Sequence, residues 1–532
     1  MTESTAPPAQ QIAAGYATTG QSLELGSVIV GGTVDPSAQI RIPLAMMNRH
    51  GLVAGATGTG KTKTLQVIAE QLSAAGVPVV MADFKGDLSG LSRPAESNDK
   101  IAERATATGD QWVGTPFPVE FLSLGTGGLG VPVRATISAF GPILLSKVLG
   151  LNQTQESTLG LIFHYADQQG LPLLDLKDLR QVITFLTTAD DGKAQLKTLG
   201  AVSSQTAGVI LRALVNLEAD GGDTFFGEPE LDPADLLRVN DQGKGVISLF
   251  EVGDQASRPV MFSTFLMWVL ADLFNYLPEV GDVDKPKLVF FFDEAHLLFK
   301  DASKAFLSQV EQTVKLIRSK GVGVFFCTQL PTDVPNAVLS QLGARIQHAL
   351  RAFTPDDQAA LSKTVRIYPK TEFYDLASDL TALGIGEAIV TVLSERGAPT
   401  PVAWTKLRSP RSLMDTIGPD YIKAAAQASP LSLKYGPTVD RESAYEMLAA
   451  KMAAPPVAAT PDGASGEPMD LPPILPTGID LPPMPAPVEK AEPGVLEQMM
   501  DNPAFKSAMR SAGTVIGREI TRSIFGTGRR RR

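Results

Sequence analysis

The sequence predicts an α/β protein built on a parallel β-sheet, and two observations lead to this fold class. An apolar strand at residues 52–54 enters a glycine-rich turn, a helix follows at 61–75, and a buried strand follows at 77–83. Strand patterns then return, with helices between them. These later strands are predicted at residues 245–252, 288–293, 322–328 and 346–353.

The strands of the predicted sheet come from both sides of a helical stretch. Apolar residues recur at helical spacing in this stretch, which we interpret as an insertion. Pro and Ala dominate a later segment, as in a semi-rigid linker, and an amphipathic basic helix follows it. The predicted units are a flexible N-terminus (1–20), a small β element (21–49), an α/β core (50–130 and 240–410), the insertion (131–239), a helical extension (411–452), the linker (453–493) and the basic tail (494–532).

The composition limits the class of protein. Cys327 is the single cysteine, which excludes an intramolecular disulfide framework and suits a reducing compartment. No signal peptide and no transmembrane helix are predicted, so we expect a cytoplasmic protein. The net charge of -10 argues against a surface coated with phosphate-binding residues. It leaves nucleic acid open as a partner, because a ring can concentrate Lys and Arg in a narrow pore.

The glycine-rich turn matches G-x-x-x-x-G-K-[ST] between a strand and a helix, which is the context that this phosphate-binding motif requires. Backbone N–H groups would close around phosphate oxygens, Lys61 would contact the β and γ phosphates, and Thr62 would offer its hydroxyl to Mg²⁺. We therefore predict an ATP and Mg²⁺ site. Its residues are Gly55, Ala56, Thr57, Gly58, Thr59, Gly60, Lys61 and Thr62.

Two acids follow the apolar strand at 288–292. Asp293 is predicted to hold the metal, and Glu294 to activate the attacking water. The pair could also be a solvated turn, but its occurrence with a phosphate-binding loop favours hydrolysis. Asp83 ends the strand beside the loop, so we expect its carboxylate to face the same crevice, although an acid before a glycine can simply form a turn.

Polar residues also follow the next two strands. Thr328 and Gln329 could contact the γ-phosphate or water, although Gln329 could instead cap the turn before Pro331. Arg351 lies near the end of the strand predicted at 346–353, and Arg345 just before it. Either arginine could reach the γ-phosphate of a neighbouring subunit, or could be a surface ion-pair partner.

These motifs resemble those of the bacterial HerA-like (YjgR-type) helicases and ATPases of the HerA/FtsK P-loop NTPase superfamily. The resemblance covers roughly residues 20–410 and rests on the glycine-rich loop and on residues 83–87, 292–296, 327–329 and 348–355. It implies a RecA-like ATPase core, a homohexameric ring, and translocation on double-stranded DNA. It also implies that Glu294 is the catalytic acid, Gln329 a sensor and Arg351 a finger supplied in trans.

Other functions fit the same motifs. The chain could be an ATP-driven protein remodeller or secretion ATPase, or a nucleotide switch without motor activity. Residues 494–532 could dock a nuclease or a membrane-associated partner, or could be a solvated tail. ATP turnover with and without DNA distinguishes the motor from the switch.

Overall fold

The computed structural model describes residues 6–83, 86–198, 203–251 and 259–453. Its centre is a 12-stranded sheet. In chain order the strands are β1 (Ser22–Val30), β2 (Thr33–Pro43), β3 (Gly51–Ala54), β4 (Val79–Asp83), β5 (Val119–Leu124), β6 (Val131–Val133), β7 (Ile247–Glu251), β8 (Leu288–Phe292), β9 (Val322–Thr328), β10 (Ala344–Gln347), β11 (Glu387–Thr391) and β12 (Ala403–Leu407).

The strand order across the sheet is β2-β1-β12-β11-β10-β3-β9-β8-β4-β7-β5-β6. Strands from β10 to β6 in this order pair in parallel, whereas β11, β12, β1 and β2 continue the sheet as antiparallel strands. The β3–β9–β8–β4 block is thus parallel, and its carboxyl ends share one edge of the sheet. The α/β fold class is confirmed.

Helices connect these strands. In chain order they are α1 (Pro8–Ala14), α2 (Lys61–Ala74), α3 (Asp99–Thr108), α4 (Ile137–Val148), α5 (Gln153–Gln168), α6 (Leu176–Thr188), α7 (Asp190–Thr198), α8 (Ser204–Ala219), α9 (Pro259–Tyr276), α10 (His296–Phe299), α11 (Lys304–Ile317), α12 (Asn336–Leu339), α13 (Pro355–Val365), α14 (Leu376–Ala382), α15 (Pro419–Ala428), α16 (Pro430–Tyr435) and α17 (Ala444–Ala453). None of the helices in these described ranges is long and apolar enough to cross a membrane.

The sheet is buried on both faces, as β8 illustrates. Its five residues are all apolar and buried, which is typical of a parallel strand covered by helices on each side. Phe290 and Phe292 pack into one core with helices α4 to α9, while Val289 and Phe291 pack into a second core with α2 and β1. The two cores hold the ends of the parallel strands in fixed positions, and these ends carry the candidate site.

Three parts of the structure differ from the sequence-based expectations. The expected flexible segment 1–20 contains α1, whose Ala9 and Ile12 are buried. The β element expected at 21–49 extends the central sheet, because β1 pairs with β12. The strand expected at 346–353 is β10, which ends at Gln347.

Because β10 begins and ends earlier than expected, both candidate arginines lie in different elements from those predicted. Arg345 lies inside β10, and Arg351 lies in the loop that follows the strand. Helices α15 to α17 occupy the segment expected to form a helical extension. The predicted linker, apart from its first residue, and the predicted basic tail lie outside the described residues.

Candidate functional site

The glycine-rich loop joins β3 to α2 at the carboxyl edge of the sheet. Gly60 directly precedes α2 with a φ of 110°, a conformation that favours glycine. Gly55 has no room for a side chain, because a Cβ there would lie 2.5 Å from the Cβ of His348. These glycines therefore allow the chain to turn tightly just before the N-terminus of α2, where helix N–H groups can bind an anion.

Lys61 is the first residue of α2, and its ammonium group lies against the loop. Nζ donates to the carbonyl oxygens of Gly55 at 2.6 Å and Ala56 at 3.1 Å. The Thr59 hydroxyl donates to the same Ala56 carbonyl at 2.7 Å. These contacts hold the ammonium cation against the loop. The positive end of the α2 dipole lies at the same place.

Asp293 lies at the end of β8, which is separated from β3 by β9. Cys327 of β9 bridges the gap, since it pairs with Val53 of β3 and its thiol hydrogen-bonds to the Asp293 carboxylate. Burial, together with the negative charge of Asp293, raises the pKa of the Cys327 thiol well above its usual value, and the nearby Lys61 charge opposes that shift. The phosphate-binding loop and the acid after β8 therefore belong to one site.

The donor set suits Mg²⁺ bound together with phosphate. Among the residues described here, no group of three or more His, Cys, Asp or Glu side chains is arranged to hold a metal ion by itself. Mg²⁺ commonly takes only one or two protein carboxylates and completes its shell with water and substrate phosphates. The Thr62 hydroxyl and the Asp293 carboxylate fit that pattern and remain the proposed ligands.

Glu294 is held in an unusual backbone conformation. Its φ of 46° is uncommon for a residue other than glycine. Its backbone N–H donates to the Asp293 carboxylate at 2.9 Å, and the next residue, Ala295, donates to the Cys327 carbonyl at 2.8 Å. The side chain lies with one carboxylate oxygen 3.3 Å from Nδ1 of His296. Glu294 is thus fixed beside Asp293 at the edge of the sheet.

The two residues at the end of β9 differ in their environment. Thr328 is fully buried, and its hydroxyl donates to the Asp333 carboxylate at 2.7 Å. This contact leaves Thr328 unsuited to bind phosphate, contrary to the sequence-based suggestion. Gln329 is exposed just beyond the strand. A sensor role stays a prediction for Gln329 alone.

Asp83 ends β4 as predicted, but its carboxylate is engaged by backbone groups. The two oxygens accept hydrogen bonds from the N–H groups of Gly86 at 2.7 Å, Leu88 at 3.0 Å and Ser89 at 3.1 Å. The side chain is 3% exposed. These contacts favour the turn-forming role over direct contact with the nucleotide.

The two arginines also have distinct surroundings. Arg345 is half-buried, and its guanidinium hydrogen-bonds to the Ile367 carbonyl. Arg351 is exposed, and its Nη2 lies 3.4 Å from the carbonyl oxygen of Thr57 in the loop of the same chain. This contact lies within one chain, and the finger in trans that the resemblance implies stays a prediction.

The segment that follows β10 packs against the glycine-rich loop through hydrogen bonds. The sequence analysis did not predict this role. The His348 backbone donates to Ala54 at 2.7 Å, and Ala349 accepts from Ala56 at 2.8 Å. His348 Nε2 lies 2.9 Å from the hydroxyl of Thr64 on α2. A histidine directly after a buried strand could have indicated this role. Its partners, however, come from distant parts of the chain, so the sequence alone does not identify them.

Comparison with known proteins identifies relatives. A family model described as "Helicase HerA-like C-terminal" matches residues 30–532. A DNA double-strand break repair helicase HerA from Saccharolobus solfataricus is 21% identical over 369 residues, 69% of this chain and 66% of the relative. A probable helicase from Methanocaldococcus jannaschii is 30% identical over 153 residues, 27% of each chain. The chain therefore spans just under two thirds of the first relative's length and about a quarter of the second's.

Two solved structures align with most of this chain at TM-scores below 0.5. The bacterial conjugative coupling protein TrwBΔN70 has a TM-score of 0.49 and 15% identity, over 77% of this chain and 94% of that one. VirB4 of Thermoanaerobacter pseudethanolicus has a TM-score of 0.45 and 15% identity, over 74% of this chain and 98% of that one. The family match extends over most of the chain, from the end of β1 onward. The chain belongs to the HerA-like helicase C-terminal family.

Proposed function

We propose that this protein binds ATP with Mg²⁺ at the loop formed by residues 55–62, hydrolyses it with Asp293 and Glu294, and uses the energy to move along double-stranded DNA. The observation that carries the ATPase part is the juxtaposition of Lys61, Cys327 and Asp293 at one edge of the sheet. Membership in a helicase-like family supports the DNA part, and the relative from Saccharolobus solfataricus is named as a DNA repair helicase.

In the proposed reaction the chain's own groups have separate tasks. The loop amides and Lys61 would hold the phosphates and neutralise their charge, while Thr62 and Asp293 would hold Mg²⁺. Glu294 would accept a proton from the attacking water. Arg351, which lies beside Thr57, would contribute a positive charge near the γ-phosphate.

The assembly and its surroundings are also proposals. A homohexameric ring would carry the DNA through its centre and concentrate basic side chains there, although the chain as a whole is acidic. We place the protein in the cytoplasm. A nuclease or a membrane-associated protein could bind the basic segment 494–532.

Two substitutions test the ATPase assignment. Lys61→Ala removes the phosphate cation, so we expect loss of nucleotide binding. Glu294→Gln keeps the shape of the site, so we expect binding to persist while turnover falls by about a hundredfold or more. Lys100→Ala, an exposed lysine on α3, is the matched control. Wild-type turnover by Glu294→Gln would show that another group activates the water.

A salt series tests the DNA part. ATP turnover is measured with and without a DNA duplex as salt rises from roughly 50 to 200 mM. A motor that contacts DNA phosphates should be stimulated by the duplex, and the stimulation should fall steeply with salt. Turnover that DNA leaves unchanged at every salt concentration would remove DNA as the substrate and would favour a protein remodeller.

A further inference from the structure

We propose that Ile385 forms an apolar platform for the base of the bound nucleotide. The inference rests on the proposed function, because it takes the phosphates to lie in the loop before α2. Ile385 belongs to the turn between α14 and β11, which we call the platform turn (residues 383–387). This turn lies at the same edge of the sheet as the glycine-rich loop.

The platform turn contacts the loop directly. The N–H of Gly386 donates to the carbonyl of Thr59 at 3.1 Å. A Cβ placed on Gly60 would lie 3.3 Å from that same nitrogen of Gly386. The tip of the turn therefore lies next to the residue that precedes α2.

An arginine from a distant helix holds the turn in place. Arg104 of α3 donates to the carbonyl oxygens of Ile385 at 3.2 Å, Gly386 at 3.1 Å and Leu407 at 3.0 Å. Gly386 has a φ of 72°, and a Cβ there would lie 2.8 Å from the same guanidinium group. The backbone conformation favours glycine at this position, and a side chain there would displace the Arg104 guanidinium.

A carboxylate holds the other side of the platform turn. Glu387 accepts hydrogen bonds from the backbone N–H of Gly384 at 3.0 Å and from Nε1 of Trp404 at 3.1 Å. It also pairs with the Lys406 ammonium at 3.0 Å. The turn is thus anchored from both sides, and its tip is a rigid feature of the site.

The side chain at this rigid tip is apolar and 75% exposed. Single exposed apolar residues are ordinary on protein surfaces. Ile385 differs because it is flanked by two glycines, its carbonyl is held by Arg104, and its neighbour Gly386 contacts the residues that precede α2. The turn therefore carries one exposed branched aliphatic residue adjacent to the glycine that contacts the loop.

The direction of the phosphate chain brings the nucleoside to this place. In such motifs the loop amides contact the α and β phosphates and the lysine, here Lys61, reaches the β and γ phosphates. We therefore place the sugar and base at the end of the phosphate chain away from the γ-phosphate, beside the platform turn. A base has two flat faces that gain from apolar contact, and ligand sites are lined mainly by such groups. Phe353 is also exposed, but it follows Arg351, whose guanidinium contacts the loop at Thr57 and not at the residue before α2.

Comparing ligands that contain a base with one that does not distinguishes contacts to the base from contacts to the phosphates. Binding of Mg-ADP, Mg-GDP and Mg-pyrophosphate to the full chain is measured by calorimetry for wild type and Ile385→Ala. We expect ADP and GDP to weaken by about tenfold, since a face contact does not distinguish the bases, and pyrophosphate to bind unchanged. Ile385→Met, which keeps an apolar side chain, should bind ADP like wild type.

Leu433→Ala is the matched control, because Leu433 is 87% exposed on α16, which packs against β6 at the far edge of the sheet. It should leave all three ligands unaffected. Wild-type affinity of Ile385→Ala for ADP would overturn the inference, and so would equal weakening of ADP and pyrophosphate. If Lys61→Ala binds ADP and pyrophosphate as wild type does, the proposed nucleotide site itself is wrong.

Discussion

Nδ1 of His296 lies 3.3 Å from a carboxylate oxygen of Glu294, at the start of the short helix α10. Both side chains are partly buried. His296 is the first residue of α10 and lies two positions after Glu294, so the two side chains can approach each other across the turn that follows β8. We infer that His296 positions the carboxylate that activates water.

His296→Ala should therefore lower kcat by about tenfold while the KM for ATP stays the same, because binding depends on the loop and not on Glu294. His296→Asn, which keeps a polar side chain close to this carboxylate, should recover part of the loss. Steady-state kinetics measures both values. An unchanged kcat in His296→Ala, or a change confined to KM, would contradict a positioning role.

Arg351 provides a test of which subunit completes the site. Because its guanidinium lies beside Thr57 of the same chain, we expect Arg351→Ala to lose turnover in every subunit that carries it. A mixture of Arg351→Ala and Glu294→Gln chains should then remain as inactive as either variant alone. Recovery of activity in the assembled mixture would show that the arginine acts across a subunit interface, as the family resemblance implies. Arg93→Ala, on an arginine that stacks over Tyr421, is a suitable control.

Cys327 should be unreactive in the folded protein. The thiol is 1% exposed, and burial together with Asp293 raises its pKa, so the reactive thiolate is scarce at neutral pH. A thiol reagent such as DTNB should release no colour from the native chain and one equivalent after unfolding in urea, since the sequence has one cysteine. Rapid labelling of the native protein would show that this part of the site opens to solvent.

His348 should make the fold sensitive to acid. Burial, with the Lys61 charge as a second cause, lowers the pKa of His348 from 6.5 to about 4. The folded state thus favours neutral imidazole, so the unfolded state takes up a proton first as the pH falls. The stabilisation is present above about pH 6.5 and is lost as the pH falls toward about 4.

Between about pH 7 and pH 5 this single group should reduce the free energy of unfolding by about 2 kcal/mol. His348→Gln should show a correspondingly smaller loss in urea titrations at the two pH values. His50, whose pKa burial also lowers to about 4, contributes equally to both proteins. His164→Gln, at an exposed position, should behave as wild type. An acid response of His348→Gln identical to that of wild type would contradict the assignment.

Local sequence was sufficient to predict those parts of the candidate site that are formed by consecutive residues. The loop at 55–62, the start of α2 at Lys61, and the acid pair after β8 follow from apolar runs, glycines and a helix that lie next to one another in the chain. Hydrophobic periodicity likewise predicted β9 at the residues where it occurs. Such features depend on backbone preferences and on local burial patterns, which can be recognised in a single sequence.

Strand order and the folding of distant segments against the loop were decided by tertiary structure. Residues 26–28 and residues 405–407 pair in neighbouring strands, so the N-terminal β element joins the sheet. Arg104 reaches the platform turn, and His348 supports the loop, across separations of hundreds of residues. The short β10 leaves Arg351 in a loop beside Thr57. No local pattern encodes these contacts, because they arise only when two cores fix the strands side by side.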